Sequence, residues 1–407
     1  MSMPDSERYR LISTLSGEAY PLDRLEEFAG SGESLEVSRV SSRQPEIHPG
    51  DHLWERFAGF LPFDEPELSV SLGEGDTPLL PSGAFLSEYT GSRNLWLKNE
   101  TMNPTWSFKD RGTLTTMWMS RAMGEKVTAT ISTGNMGHSV AAYAARAGLQ
   151  AVVFIPDFTP REKIMPIALH GAHIIRVKAP DYAAMKKQIL EMAGRLNLRI
   201  VSGNGPLRVE GYKLTAFELY EQMRGEVPDF ILVPVSACGH VRGIFKGYRE
   251  LYEAGYIQQL PRMVVVQASN NAPLAQPIQQ GKRVVIPFTQ VDTIAEAITT
   301  GNPMGGDEII DKARRFDWPA VDVSEAEILE SQAALARAGL FVEPASATTL
   351  SALKKLIGRG TVKPAQKVVA MLTGSGLKDF DVFRHHDQQI HDCELHNMER
   401  TLEEIMP

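Results

Sequence analysis

From about residue 94 onward, short β-branched runs alternate with longer stretches whose apolar residues recur at helical spacing. The predicted strands are Asn94–Lys98, Thr128–Ser132, Ala151–Ile155, His173–Val177, Arg199–Ser202, Phe230–Val235, Met263–Gln267 and Val368–Leu372. Several are almost continuously apolar, the mark of parallel strands covered on both faces. Between them lie amphipathic segments such as Ser139–Ala147, Ala183–Leu196, Tyr212–Met223 and Ile244–Tyr252. Strand followed by helix, repeated, means right-handed crossovers, so the pattern predicts an α/β protein built from doubly wound open sheets.

Two regions break this rhythm. Residues 1–65 are polar and rich in Ser, Gly, Glu and Pro, and are expected to form an extension wrapped on the main body. Residues 385–407 carry four of the ten histidines, His385, His386, His391 and His396, together with Cys393. Their spacing follows no recognised ligand pattern, so a solvated or interface helix is expected there and no metal. A net charge of −8 argues against nucleic-acid binding, which needs clustered Lys and Arg. No basic amphipathic stretch or long apolar run suggests a membrane partner. Two cysteines are too few for a disulfide scaffold, and the charged N-terminus is unlike a signal peptide. Together these features predict a cytoplasmic protein.

Candidate chemistry lies at strand-to-helix junctions, where α/β proteins bind ligands. NPTWSFKDRG (103–112) places Lys109 at such a junction, although spacing alone favours a surface lysine paired with Asp110. In STGNMGHS (132–139), Gly134 lets the backbone approach a ligand, and Asn135 and the first helical amides offer donors to an anion. A plain capped turn would look the same. In VPVSACGHVRG (233–243), the amides of Ser236, Ala237, Cys238, Gly239 and His240 stand before a helix dipole, as in a phosphate cradle. MLTGSGLKD (371–379) ends a strand and presents the hydroxyls of Thr373 and Ser375.

Taken together, LGEGDTPLL (72–80), NPTWSFKDRG, STGNMGHSVAAYAARAG (132–148), EGYKLTAFE (210–218), VEPASATTLSAL (342–353) and LTGSGLKD (372–379) resemble the threonine synthases. These are pyridoxal phosphate (PLP) enzymes of the tryptophan synthase β-like class, fold type II. The motifs occur in family order and span roughly residues 70 to 380. The resemblance implies a large PLP-binding domain from residues 66–111 and 206–384, and a small mobile domain from 112–205. It implies Lys109 as the residue that carries PLP as a Schiff base and moves protons. It implies Asn135 against the cofactor's phenolic oxygen, Ser236 to His240 around its phosphate, and Thr373 facing its pyridine nitrogen. Ser132, Thr133, Gly134 and Arg208 are implied in binding a small amino-acid substrate. The implied reaction is the conversion of O-phosphohomoserine and water to threonine and phosphate, in a homodimer. The alternative is elimination or replacement on serine, threonine or a phosphoserine-like compound.

That alternative arises because the pattern departs from the family at the site. Trp106 stands where glycine is usual, and Met136 where a small or hydroxylic residue is usual. Ser236-Ala237-Cys238-Gly239-His240 replaces Gly-Asn-x-Gly-Asn, Ser202 stands in for an asparagine, and Ser375 stands in for the histidine of LTGHGLKD. Trp106 either narrows the substrate cavity or turns into the domain interface. Arg208 either binds a substrate anion or forms a structural ion pair with Glu210 or Glu218. Cys238 and His240 invite a nucleophile reading, but PLP would already supply the electrophile. Ile12–Val37 lies where the family often has a cysteine-bearing ribbon; with no cysteine it is no zinc site.

Overall fold

The computed structural model describes residues 8–22, 27–40, 44–63, 67–132, 134–179, 182–289, 291–386 and 389–406. Its largest sheet is six-stranded, in the order β11-β10-β9-β12-β5-β4. The strands are β4 (Leu79–Pro81), β5 (Leu95–Asn99), β9 (Phe230–Pro234), β10 (Arg262–Ala268), β11 (Ala320–Val323) and β12 (Val368–Leu372). All pair in parallel except β4, which runs antiparallel along β5 and ends on Pro81 at the sheet edge. Every residue of β9 and β12 is buried. Helices cover both faces, as continuously apolar parallel strands require.

A second sheet is three-stranded and parallel, β6-β7-β8, from Val127–Ile131, Gln150–Pro156 and His173–Val177. It is much less protected, and no residue of β8 is fully buried. The predicted strand Arg199–Ser202 shrinks to one bridge, Ile200 to Ala129. Two open α/β sheets therefore stand as predicted. The segment Tyr212–Met223 belongs to two consecutive helices, Pro206–Tyr212 and Leu214–Gln222, separated by Lys213.

The N-terminal extension is more structured than its composition suggests. Strands β1 (Tyr9–Ser13), β2 (Ala19–Tyr20) and β3 (Leu35–Arg39) form an antiparallel sheet that buries Tyr9, Leu11, Leu35 and Val37. The helix Gly239–Glu253 fastens it to the body. Arg242 donates to the Leu35 carbonyl at 2.8 Å, Lys246 donates to the Val37 carbonyl, and Arg249 pairs with Glu36. At the other end, the helix Met398–Ile405 buries none of its residues. Among the described residues no three His, Cys, Asp or Glu side chains converge as a metal site. Nor is any helix among them long and apolar enough to cross a membrane.

Candidate active site

The two open sheets face each other across a cleft of about 2520 Å³. Lys109, Asn135, Ser132, Gly134, Ser236 to His240 and Thr373 all line it. Thr133 lies outside the described residues.

Lys109 opens the helix Lys109–Ala122, and its Nζ stands 4.3 Å from the centre of the Phe108 ring. Burial lowers its pKa, aided by the positive charges of Arg208 and Lys378 and opposed by Glu343, to about 7. A substantial fraction of the amine is therefore uncharged near neutral pH, the form needed to attack a carbonyl or accept a proton. Asp110 is no partner for it, because that carboxylate accepts from the Thr105 amide at 2.6 Å and hydroxyl at 2.5 Å.

The cradle loop leaves β9 and enters the helix Gly239–Glu253. Cys238, not Ser236, takes the left-handed conformation, with φ +72°. Gly239 has to be glycine: a Cβ there would meet the Gly203 carbonyl oxygen at 2.2 Å. The amides of the helix's first turn have no intrahelical acceptor and point toward the cleft end of the axis. Burial pushes the Cys238 thiol up to about 12, which removes the nucleophile reading. His240 stacks on Phe108 at 3.9 Å, is 4% exposed, and has no hydrogen-bond partner on either ring nitrogen. Burial holds it neutral, with a pKa of about 3. A buried imidazole with two idle nitrogens is a site waiting for a polar ligand atom.

Asn135 and Thr373 come together on a residue that sequence reasoning missed. Glu343 accepts from Asn135 Nδ2 at 2.8 Å and from the Thr373 hydroxyl at 3.3 Å. Burial raises its carboxyl above the usual range. A Cβ on Gly374 would stand 2.5 Å from that carboxylate, so Gly374 is what admits it. The motif VEPASATTLSAL contains Glu343, but nothing in its spacing marks the acid as part of the site.

Arg208 is buried and donates to Tyr212 Oη, Thr113 Oγ1 and the Lys109 carbonyl. The ion-pair reading fails because both acids are engaged elsewhere: Glu210 with Lys213 and Lys246, Glu218 with Lys98 and Arg111. Ser132 Oγ accepts from the amides of Gly134 (3.3 Å) and Gly137 (3.1 Å), fixing the turn that begins the helix Asn135–Ala147. Ser202 donates to Glu27, a carboxylate delivered by the N-terminal extension.

Comparison with known proteins places the chain as a whole. The sequence pattern of a family described as pyridoxal-phosphate dependent enzyme matches residues 70–374. A threonine synthase from Methanocaldococcus jannaschii is 35% identical over 91% of this chain and 90% of its own. One from Mycobacterium bovis is 36% identical over 79% of this chain and 87% of its own. The chain belongs to the pyridoxal-phosphate-dependent threonine synthase family. Members of this family are PLP-dependent lyases, and so is this enzyme.

Its fold is also that of maize serine racemase, with a TM-score of 0.65 at 20% identity over 81% of this chain and 93% of that one. The processed threonine deaminase isoform 2 of Solanum lycopersicum gives 0.65 at 19% identity, covering 76% and 86%. The residues present fit PLP. A lysine amine near neutrality, a glycine-backed cradle and an unpartnered buried imidazole converge on one cleft.

Proposed function

We propose that this enzyme converts O-phosphohomoserine and water to threonine and phosphate. The observation that carries the reading is Arg208: a buried guanidinium held only by neutral groups, one of them the backbone of Lys109. It stands behind the cleft wall rather than on it, through the Lys109 carbonyl and Thr113, and its positive charge, shared with Glu27, favours an anion in the cleft. Bound PLP supplies carbanion stabilisation at the substrate's α-carbon.

In this reading Lys109 carries the cofactor, and its Nζ then takes and returns protons at the substrate carbons. Its pKa of about 7 serves both directions of transfer. The first turn of the helix Asn135–Ala147 receives the substrate carboxylate. Arg208 favours the distal phosphate from behind the wall, and the amides of Ser236 to His240 hold the cofactor phosphate. Thr373 would hold the cofactor's ring nitrogen with a neutral hydroxyl, turned from Glu343, a pairing that favours elimination and replacement over transamination. Residues 112–205 act as a small domain that closes on the large one, shutting water out of the cleft. A cytoplasmic homodimer is part of the same reading, supported by the low cysteine content and by family resemblance.

A second reading, elimination or replacement on serine, threonine or a phosphoserine-like compound, is favoured by Glu27. Its carboxylate accepts from the Ser202 amide at 3.1 Å and from the Ser202 hydroxyl, where the resemblance leads to asparagine. An acid there is a poor neighbour for phosphate. The two readings part in one assay. Phosphate and threonine formed from O-phosphohomoserine support the first; ammonia and 2-oxo acid from serine or threonine, without phosphate release, support the second.

A further inference from the structure

Trp106 has φ +64°, a left-handed conformation that a bulky side chain rarely adopts. The backbone there has no room to relax. Its amide donates to the Asn103 carbonyl at 2.7 Å, and its carbonyl accepts from the Ser375 amide at 3.0 Å. The next residue, Ser107, bridges to Gly374. Glycine would hold this turn without strain. Strain kept where a cheaper residue would serve points to a task for the side chain.

The indole's surroundings show that task. It is 41% exposed, lines the cleft beside Lys109, and meets His138 edge-on, with ring centres 5.9 Å apart. His138 belongs to the opposite wall, on the helix Asn135–Ala147. It is braced by stacking on His170 at 5.3 Å and by Lys378, whose Nζ lies 3.2 Å from its Nδ1. The indole therefore lines the cleft and at the same time reaches the helix on its opposite wall.

We propose that Trp106 is a specificity-determining residue. Its indole, braced on His138, forms a wall beside Lys109 that admits amino acids with slim, unbranched side chains and refuses branched or aromatic ones. This rests on the reading that the cleft takes a small amino acid, and its test needs binding alone. PLP-loaded wild type, Trp106→Gly and Trp106→Phe are titrated with L-homoserine and L-leucine, following the change in cofactor absorbance. Wild type is expected to favour homoserine. Trp106→Gly is expected to lower that preference about tenfold or more, by admitting leucine, and Trp106→Phe is expected to keep most of it. Melting of Trp106→Gly is expected no lower than wild type, because glycine relieves the backbone. A preference within about twofold of wild type in Trp106→Gly overturns the proposal. So does equal weakening of both amino acids. Neither result depends on whether O-phosphohomoserine is turned over, so failure of that assay is told apart from failure of this one.

Discussion

The two walls of the cleft are built to different standards. On one side, β9 and β12 are buried along their whole length, and their carboxyl ends lead into the cradle loop and Thr373. On the other, the sheet β6-β7-β8 has a thin core, centred on Ala129, Phe154, Met185 and Ile189 on one face. Its outer strand β8 is partly exposed throughout. Groups that must hold a ligand in fixed geometry stand on the densely packed wall. The facing wall is the thinner one, where local motion costs less, as the proposed closure requires.

The largest effect expected belongs to neither wall but to the lysine between them. Lys109→Ala should abolish the visible absorbance of lysine-bound cofactor and lower kcat by about a thousandfold or more, as loss of a positioned proton carrier does. Absorbance spectra and turnover check this directly. Next comes a contrast that can break the comparison of the walls. Ile231→Ala, in fully buried β9, should destabilise the protein by about 2–5 kcal/mol in urea unfolding. Ile175→Ala, in β8 and 43% exposed, should cost about 1 kcal/mol or less. Equal costs would remove the distinction.

Both walls were legible in sequence: all three strands of the thin sheet fall where predicted, and the strands that were missed, β4 and β11, are edge strands of the packed one. FILVP and VVAML are unbroken apolar runs, and β9 and β12 fall where those runs predict. The strand β11 escaped notice because AVDV is four residues long and half interrupted by Asp322. The helix Pro344–Gly358 escaped because its small residues are buried on almost every face, so no polar stripe betrays a period. At the site, residue identities were visible but conformations were not. Nothing in WSFKD announces φ +64° at Trp106. Nor does the polar text of the N-terminal extension announce that Glu27 reaches Ser202, a contact across 175 positions that only the folded chain creates.

Two smaller effects sharpen the picture of the packed wall. Capture of PLP by the apoenzyme should rise with pH through about 7, rather than near the usual lysine value. The sign follows from burial and neighbouring cations, which favour the uncharged amine, and only that form attacks the cofactor's carbonyl. Stopped-flow absorbance across pH 5.5 to about 9 checks it. Cys238→Gly should leave cofactor affinity intact and add about 1 kcal/mol of stability, by relieving φ +72° at the cradle. Thermal melting, with and without PLP, measures both.

The most direct test of the central claim is to fix the cofactor in place chemically. Reduction of the PLP-loaded enzyme with borohydride, followed by proteolysis and mass mapping, should put a single pyridoxyl group on Lys109. A label on Lys378, on another lysine, or on none would contradict the account.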